Sequence, residues 1–338
     1  MDTLTHALSG ALLARATAPK ASPLGSLPRR VAAGFLVCAA PDLDIVTGLF
    51  GPVAFLENHR GVTHSLVMLP VWALVCAWIL AKLLREPRGP RALVAVAAMA
   101  IALHIAGDVI TTYGTMVLAP LSDWRAQIGT TFIIDLWFTG IIVAGLVLSA
   151  IARGSRWPAA AACAILAGYV GFQHLQKEKA TEFGERYARE QGLSGATVNA
   201  QPRPVSPFNW TVFVSDADAH RFAHVNLARE APREYREGDG FIALLDSAYQ
   251  PLAAARWEPR SRYGEGAEKP IAQEAWGSPA MAVYRWFAEL PAYDGASTGS
   301  TCVWFVDLRF AAPGRETRPF RYGACRDQAG TPWRLVPP

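Results

Sequence analysis

Acidic residues are scarce in the first half of this 338-residue chain. Of 28 Asp and Glu, eight fall in residues 1–174: Asp2, Asp42, Asp44, Glu57, Glu86, Asp108, Asp123 and Asp135. Charged residues make up 18% of the chain, against about 25% in an average soluble protein. A chain this poor in charge and 51% hydrophobic is neither a disordered polymer nor a coiled coil. The shortage is also uneven, which excludes a single soluble domain. Residues 175–338 hold the other twenty acids, balanced by twenty Lys and Arg. Positive charge is missing ahead of the first apolar run, where Asp2 stands instead. Residues 3–16 therefore do not read as a cleavable signal peptide and are expected to remain in the mature protein. Internal repeats and low-complexity tracts are absent. Cysteine is sparse, with five residues. Cys38, Cys76 and Cys163 lie in apolar runs and read as small buried hydrophobes. Cys302 and Cys325 lie in two late strands, where a disulfide and two buried thiols are both open readings.

What the first half does contain is apolar runs. A bilayer span needs about 20 apolar residues. Residues 64–84, 92–118, 132–152 and 158–174 meet that description. Residues 31–50 carry Pro41, Asp42 and Asp44 inside an apolar run, and residues 3–16 are shorter than a full span. Basic residues mark alternate connections: Arg15, Lys20, Arg29 and Arg30, then Lys82, Arg85, Arg88 and Arg91, then Arg153 and Arg156. The two intervening connections hold Arg60 and Arg125 alone. The net charge of +4 arises in this half, so it reads as membrane topology and not as a nucleic-acid surface. The sequence thus predicts a membrane all-α domain over residues 1–175, with about six helices and both termini outside. The first helix is either a crossing or a re-entrant, interfacial helix.

The second half has the periodicity of a soluble domain. A helical connector and a Pro-rich linker (QPRPVSP) are expected over 176–207, and an extracytoplasmic α+β domain over 208–338. WTVFVSD, HRFAHVNL, GFIALLD, TCVWFVDLRF and FRYGACRD read as strands. A helix is predicted from Ser278 and Pro279 through Trp286, with Ser278 as its cap. His220 and His224 read as surface residues of a strand, and His174 with Glu178 as a local pair.

Ionisable groups inside a membrane are costly, and their default reading is functional. They recur here as His6; Asp42 and Asp44 in PDLD; His59, Arg60 and His64 in HRGVTHS; His104 and Asp108 in HIAGD; and Asp135. His104 and Asp108 are four apart and share a helix face. Asp42 and Asp44 converge only if the backbone after Pro41 leaves the helical path, which is tolerated beside a cavity. By the predicted topology all these groups fall in one leaflet. Mixed imidazole and carboxylate donors suit a divalent metal. Zinc is the first expectation, with manganese, magnesium and iron as alternatives. The metal-ligand candidates are His6, Asp42, Asp44, His59, His64, His104, Asp108 and Asp135, more than one four-coordinate zinc needs, so one or two ions are expected. Arg60 is expected to bind an anionic substrate oxygen, and Asp108 to share in catalysis. Thr63 and Ser65 are placed to orient the ligands. Asp123 in PLSD reads as a loop residue.

Five of these elements occur in an order that resembles a known family. MDTLTHALSGALLARA, PDLD, HRGVTHS, HIAGD followed by TTYGT, and PLSD with FIID are similar to the YdjM-like bacterial inner-membrane metal-dependent hydrolases, a family also described as LexA-binding. The resemblance covers about residues 1–150. It implies a multi-pass protein of the bacterial cytoplasmic membrane with a metal-dependent hydrolase activity. Together with the ligand set, it leads to the expectation of a phosphoester hydrolase. Metal-activated water would attack a lipid or lipid-linked substrate at the outer leaflet. The partners expected are that substrate and the bilayer, with no nucleic acid. Two other readings fit the same residues: an ion-coupled transporter or proton relay, and a metal-stabilised scaffold without activity.

Overall fold

A computed structural model of the chain describes residues 1–19, 26–152, 155–297, 301–313, 318–328 and 330–337. Lys20 and Arg153, two of the topology-marking cations, lie outside the described residues. The chain forms two compact units, Met1–Phe50 with Asn58–Leu175, and Gly51–Glu57 with Gln176–Pro338.

The first unit is helical. Helix α1 runs Thr3–Ala16 and α2 Ser26–Ala39, and a 3₁₀ segment follows over Ala40–Phe50. Helix α4 spans Leu69–Leu83, α5 Val94–Val109 and α6 Leu136–Ile151, while α3, Pro52–Asn58, belongs to the second unit up to Glu57 and α7, Trp157–Glu190, continues into the second unit from Gln176. Asp2 caps α1 by accepting from Thr5 N at 3.0 Å. Helices α1 and α2 cross at two glycines. A Cβ on Gly10 would stand 2.1 Å from Gly34 O, and one on Gly34 2.4 Å from Gly10 O. Only hydrogen fits at either position, which is the small-residue contact typical of helix pairs in membranes. Alanines do the same for α2, α4 and α5: Ala33, Ala73, Ala77, Ala97 and Ala100 are all buried in their shared core. These close approaches place the buried faces of α1, α2 and α5 against one another, which the site requires.

Among the described residues, two helical stretches, Leu27–Phe50 and Trp157–Glu190, are long and apolar enough to cross a membrane. A third is available if the pair Pro52–His64 and Leu69–Leu83, bent by 80°, counts as one. The sequence predicts about six spans, and the difference lies in where helices break. Pro41 ends α-helical geometry in the run 31–50. The run 64–84 becomes helical only at Leu69, after a turn in which Ser65 Oγ accepts from Val67 N at 3.1 Å. The run 92–118 stops at Val109, so α5 has 16 residues, as does α6. Helix α7 continues without interruption through the predicted connector to Glu190. The outward faces of α6 and α7 carry exposed Val147, Leu148 and Ile165, an apolar perimeter suited to lipid.

The second unit is sheet-rich. Strands β1 (Thr197–Pro202), β2 (Asn209–Ser215), β3 (Ala219–Asn226) and β4 (Gln250–Pro251) form a sheet in that order, with β5 (Glu258–Ser261) also paired to β3. A second sheet runs β6 (Pro291–Ser297), β7 (Thr301–Asp307), β8 (Arg321–Arg326) and β9 (Arg334–Val336). Trp210, Val212 and Val225 pack with Ala180 of α7, and Phe213 packs with Leu290, Ala292 and Val306. Cys302 and Cys325 face each other across β7 and β8 and are joined by a disulfide.

Three expectations are corrected here. GFIALLD is not a strand: Phe241–Ser247 is helix α8. Its apolar residues run consecutively instead of alternating, and Ala and Leu favour helix. Helix α9 occupies Glu268–Gly277. Ser278 then precedes only a 3₁₀ turn, Pro279–Met281, ahead of the short α10, Ala282–Phe287. The Ser278 hydroxyl donates back to Ala275 O at 2.7 Å instead of capping forward. His220 is buried, bonded to Ser215 Oγ at 2.7 Å and Pro291 O at 2.8 Å, while His224 is half-buried with Nδ1 2.8 Å from Thr211 Oγ1. Neither is a surface residue.

A candidate metal centre

Four elements deliver polar side chains to one buried point. Helix α1 brings His6, the 3₁₀ segment after Pro41 brings Asp42 and Asp44, the turn before α4 brings His59, Arg60 and His64, and α5 brings His104 and Asp108. His6, His64, His104 and Asp108 are each at most 1% exposed. Gly107 makes room for His6, since a Cβ there would lie 3.0 Å from the His6 ring. The ring of His6 stacks on that of His104 with centroids 3.7 Å apart.

The protons on two of the imidazoles follow from their neighbours. His104 Nδ1 lies 2.6 Å from Cys38 O, which only accepts, so Nδ1 carries the proton. His64 Nδ1 lies 2.9 Å from Thr63 Oγ1 and 3.2 Å from Asp44 Oδ2. The Thr63 hydroxyl donates its one proton to Asp44 Oδ2 at 2.9 Å, so His64 Nδ1 must also donate. If each ring is neutral, its Nε2 presents a lone pair; the two Nε2 atoms stand 2.9 Å apart.

Two carboxylate oxygens complete a cage around them. Asp108 Oδ2 is 3.2 Å from His64 Nε2 and 3.4 Å from His104 Nε2. Asp42 Oδ1 is 3.6 Å and 3.5 Å from the same two atoms. Ligands at zinc distances of about 2.0–2.2 Å in a tetrahedron lie about 3.3–3.5 Å from one another. The four His–Asp spacings, 3.2–3.6 Å, lie close to that range, while the 2.9 Å between the two rings is shorter. Asp108 Oδ2 is buried with no hydrogen-bond partner, which is costly unless a cation serves it. His6, Asp42, His104 and Asp108 each offer an atom within 4.8 Å of the others, as do His6, Cys38 and His104. The Cys38 thiol is thus a further donor candidate that the sequence reading passed over, because its apolar flanks mask its distance to two histidines.

The outer contacts orient this cage. Asp108 Oδ1 takes hydrogen bonds from His6 Nε2 at 3.0 Å and Arg60 Nη2 at 2.9 Å, and also meets the Met1 amine. Asp44 accepts from His59 Nδ1 at 2.6 Å and from Arg60 N at 2.9 Å. The Arg60 backbone sits at φ 59°, the left-handed region, where Asp44 holds its N–H. Thr3 Oγ1 donates to Asp42 Oδ2 at 2.7 Å, and Thr111 Oγ1 accepts from Arg60 Nη1 at 2.9 Å. Tyr113 carries the Arg60 guanidinium 4.8 Å over its ring and meets the edge of His59 at 5.2 Å. Thr3, Thr111 and Tyr113 are absent from the sequence-level candidates, since a hydroxyl near a metal site has no spacing signature. Exposure is one-sided: the side chains of Asp42 and His59 are 12% and 15% exposed, against zero for His64 and Asp108.

Two expected roles change. Arg60 was expected to face an anionic substrate. It is 2% exposed and turned inward to Asp108 and Thr111, because a buried guanidinium needs a counter-ion. Asp135 was expected as a ligand. It caps α6 through Trp137 N and Phe138 N, both at 2.9 Å, and accepts from Tyr169 Oη at 3.0 Å and Gln173 Nε2 at 2.8 Å. Those contacts on both oxygens make it a helix cap tied to α7, and it takes no part in the cage. Asp123 is exposed in its loop.

The sequence profile of the YdjM inner membrane protein family matches residues 1–180. This chain belongs to the YdjM inner membrane protein family. All the residues of the cage lie within that match, and the second unit lies almost wholly beyond it. The chain is also similar to the uncharacterized protein YfhP of Bacillus subtilis (strain 168), at 31% identity over 134 residues. That similarity spans 38% of this chain and 40% of YfhP. No solved structure matches the chain.

Proposed function

We propose that this YdjM-family protein is a metal-dependent hydrolase of the inner membrane that cleaves a phosphoester of a lipid or lipid-linked substrate. One observation carries the reading: two imidazole Nε2 atoms and two carboxylate oxygens converge at 2.9–3.6 Å, one of those oxygens orphaned and buried. His64, His104, Asp42 and Asp108 would hold a divalent cation, zinc by donor type and spacing, with His6 and Cys38 in reach. When bound, such an ion supplies Lewis acidity and activates water at neutral pH.

The chain's own groups do the rest. Asp42 and His59 form the edge through which a substrate reaches the cage. Asp44 keeps the proton of His59 on Nδ1 at 2.6 Å. Arg60 and His6 hold Asp108 in place. Arg60 thus serves as a positioning residue. The charge pattern of the connections supports cytoplasmic basic loops, about six crossings and an extracytoplasmic second unit. On that topology the exposed edge of the cage faces the outer leaflet.

The test is phosphate release from phosphatidic acid and from a polyprenyl phosphate in mixed micelles, with zinc, manganese or magnesium supplied. Wild type should turn over at least one substrate, and Asp42→Asn should lose at least a hundredfold in kcat/KM. A metal-loaded wild type inactive on every phosphoester tried would remove the phosphoesterase assignment. A second reading, a proton or ion relay, draws on the imidazole chain from His6 through His104 to His64. It requires no metal, and metal content separates the two.

A further inference from the structure

A cavity of about 530 Å³ opens on the first unit between residues 40–50 and helix α4. Its volume falls in the range of about 300–1,000 Å³ usual for small-molecule sites. The wall is almost wholly apolar, with Leu43, Val46, Trp72, Val75, Cys76 and Ile79 along it. Leu43 is 72% exposed and Val46 50%, so the trough is open along its side toward the apolar perimeter. The polar groups in its lining are Asp44, Thr47 and Thr63. Thr47 turns its hydroxyl back to Asp44 O at 2.7 Å. Asp44 and Thr63 are the same groups that hold the His64 proton on Nδ1. The trough therefore reaches the groups behind His64, and Pro41 in its lining is the chain neighbour of Asp42.

We infer that this trough seats one hydrocarbon chain of the hydrolase substrate, with the ester at the cage and the chain running along α4. The inference rests on the hydrolase reading and adds to it the class of substrate: a single-chain or chain-splayed lipid phosphoester that enters sideways from the bilayer. A water-soluble phosphate ester has no use for such a wall. The Asp44 carboxylate is already bonded to His59, Arg60 N and Thr63, so a chain lying against it strips no unsatisfied group of water. The one-ended polarity also fixes the direction of the chain, tail away from Asp44.

The test uses the full chain in detergent with a phosphatidic acid bearing a diazirine at the end of one acyl chain. After irradiation, adducts are mapped by peptide and metal is measured in the same sample. Adducts on Cys76 and Ile79 should exceed those on the exposed perimeter residues Val147 and Ile165 by at least tenfold. Excess unlabelled phosphatidic acid should compete. Val75→Trp, at a partly exposed position of the wall, should cut the trough adducts about tenfold while metal content stays at the wild-type level. Ile79→Trp is a second obstruction of the same wall, should Val75→Trp fold poorly. A metal-loaded protein labelled evenly around its perimeter would overturn the seat and leave the hydrolase reading standing. A metal-free protein would overturn the hydrolase reading, and with it the assignment of the chain as the substrate's.

Discussion

His64 Nε2 and His104 Nε2 face each other at 2.9 Å, each with its Nδ1 proton already held by an oxygen. With both rings neutral, two lone pairs at that distance call for a cation between them, and a metal ion bound there would meet both. The geometry makes the groups behind the rings as consequential as the rings. Removing the Thr63 hydroxyl takes one partner from each of His64 Nδ1 and Asp44 Oδ2, leaving them only each other at 3.2 Å and, for Asp44, Arg60 N. Thr63→Val should therefore weaken metal affinity by about 10–100-fold, the usual effect of losing an outer-shell partner, without unfolding the helical unit. Competition with a chromophoric chelator measures this, and an unchanged affinity would remove Thr63 from the centre.

Arg60 is the only Lys or Arg side chain that contacts the Asp108 carboxylate among the described residues. Breaking a buried pair from one side costs about 3–5 kcal/mol. Arg60→Met should therefore lower the melting temperature of the helical unit markedly. Arg60→Lys should recover part of that loss, since it keeps charge without the fork. Equal melting of Arg60→Met and wild type would show that the pair contributes nothing to stability.

The crossing of α1 and α2 leaves no space for a methyl group. Gly34→Ala should cost about 1–3 kcal/mol through overpacking, because the new Cβ would meet Gly10 O, a backbone atom that cannot rotate away. The same change should loosen metal binding, since α1 carries His6. Gly140→Ala is the control, with nothing within 4 Å of its Cβ position. Comparable melting of the two variants would contradict the close crossing.

In the sheet-rich unit, burial pushes His224 down from its ordinary 6.5 to about 3, with the Arg203 cation adding to the effect, and lowers His220 as well. Both are neutral in the folded unit and bind fewer protons than when unfolded. The His224 contribution is complete above pH 6.5 and is lost as the pH falls from there toward 3, and His220 acts in the same direction. For His224 alone the slope approaches about 1.4 kcal/mol per pH unit in that window. Melting of the β signal should drop between about pH 7 and 4.5, and His224→Gln should flatten the drop. A variant as pH-sensitive as wild type would assign the effect elsewhere.

The chemistry of the site was more legible in the sequence than its architecture. His64, His104, Asp42 and Asp108 stand out because each is an ionisable group in an apolar run, a signal that survives without tertiary information. The roles of Arg60 and Asp135 were not legible. Both are decided by which neighbour is within 3 Å, Asp108 in one case and the start of α6 in the other. The break after Pro41 was legible from the proline and its two aspartates, whereas those at Ser65 and Val109 were hidden for a related reason. Hydropathy records that a run is apolar, but not that its backbone turns to bring a carboxylate or an imidazole inward. GFIALLD failed on composition, because a short apolar run carries no period that separates one buried turn of helix from a strand. The disulfide between Cys302 and Cys325 needed the β7–β8 register, which places the two directly opposite.

The most direct test of the metal cage is elemental analysis of detergent-purified, chelator-free protein, wild type beside His104→Ala. The geometry predicts a divalent ion in stoichiometric amount in the wild type, absent from a variant that retains its helical circular dichroism. A folded wild type free of metal, or a variant that binds as much as wild type, would contradict it.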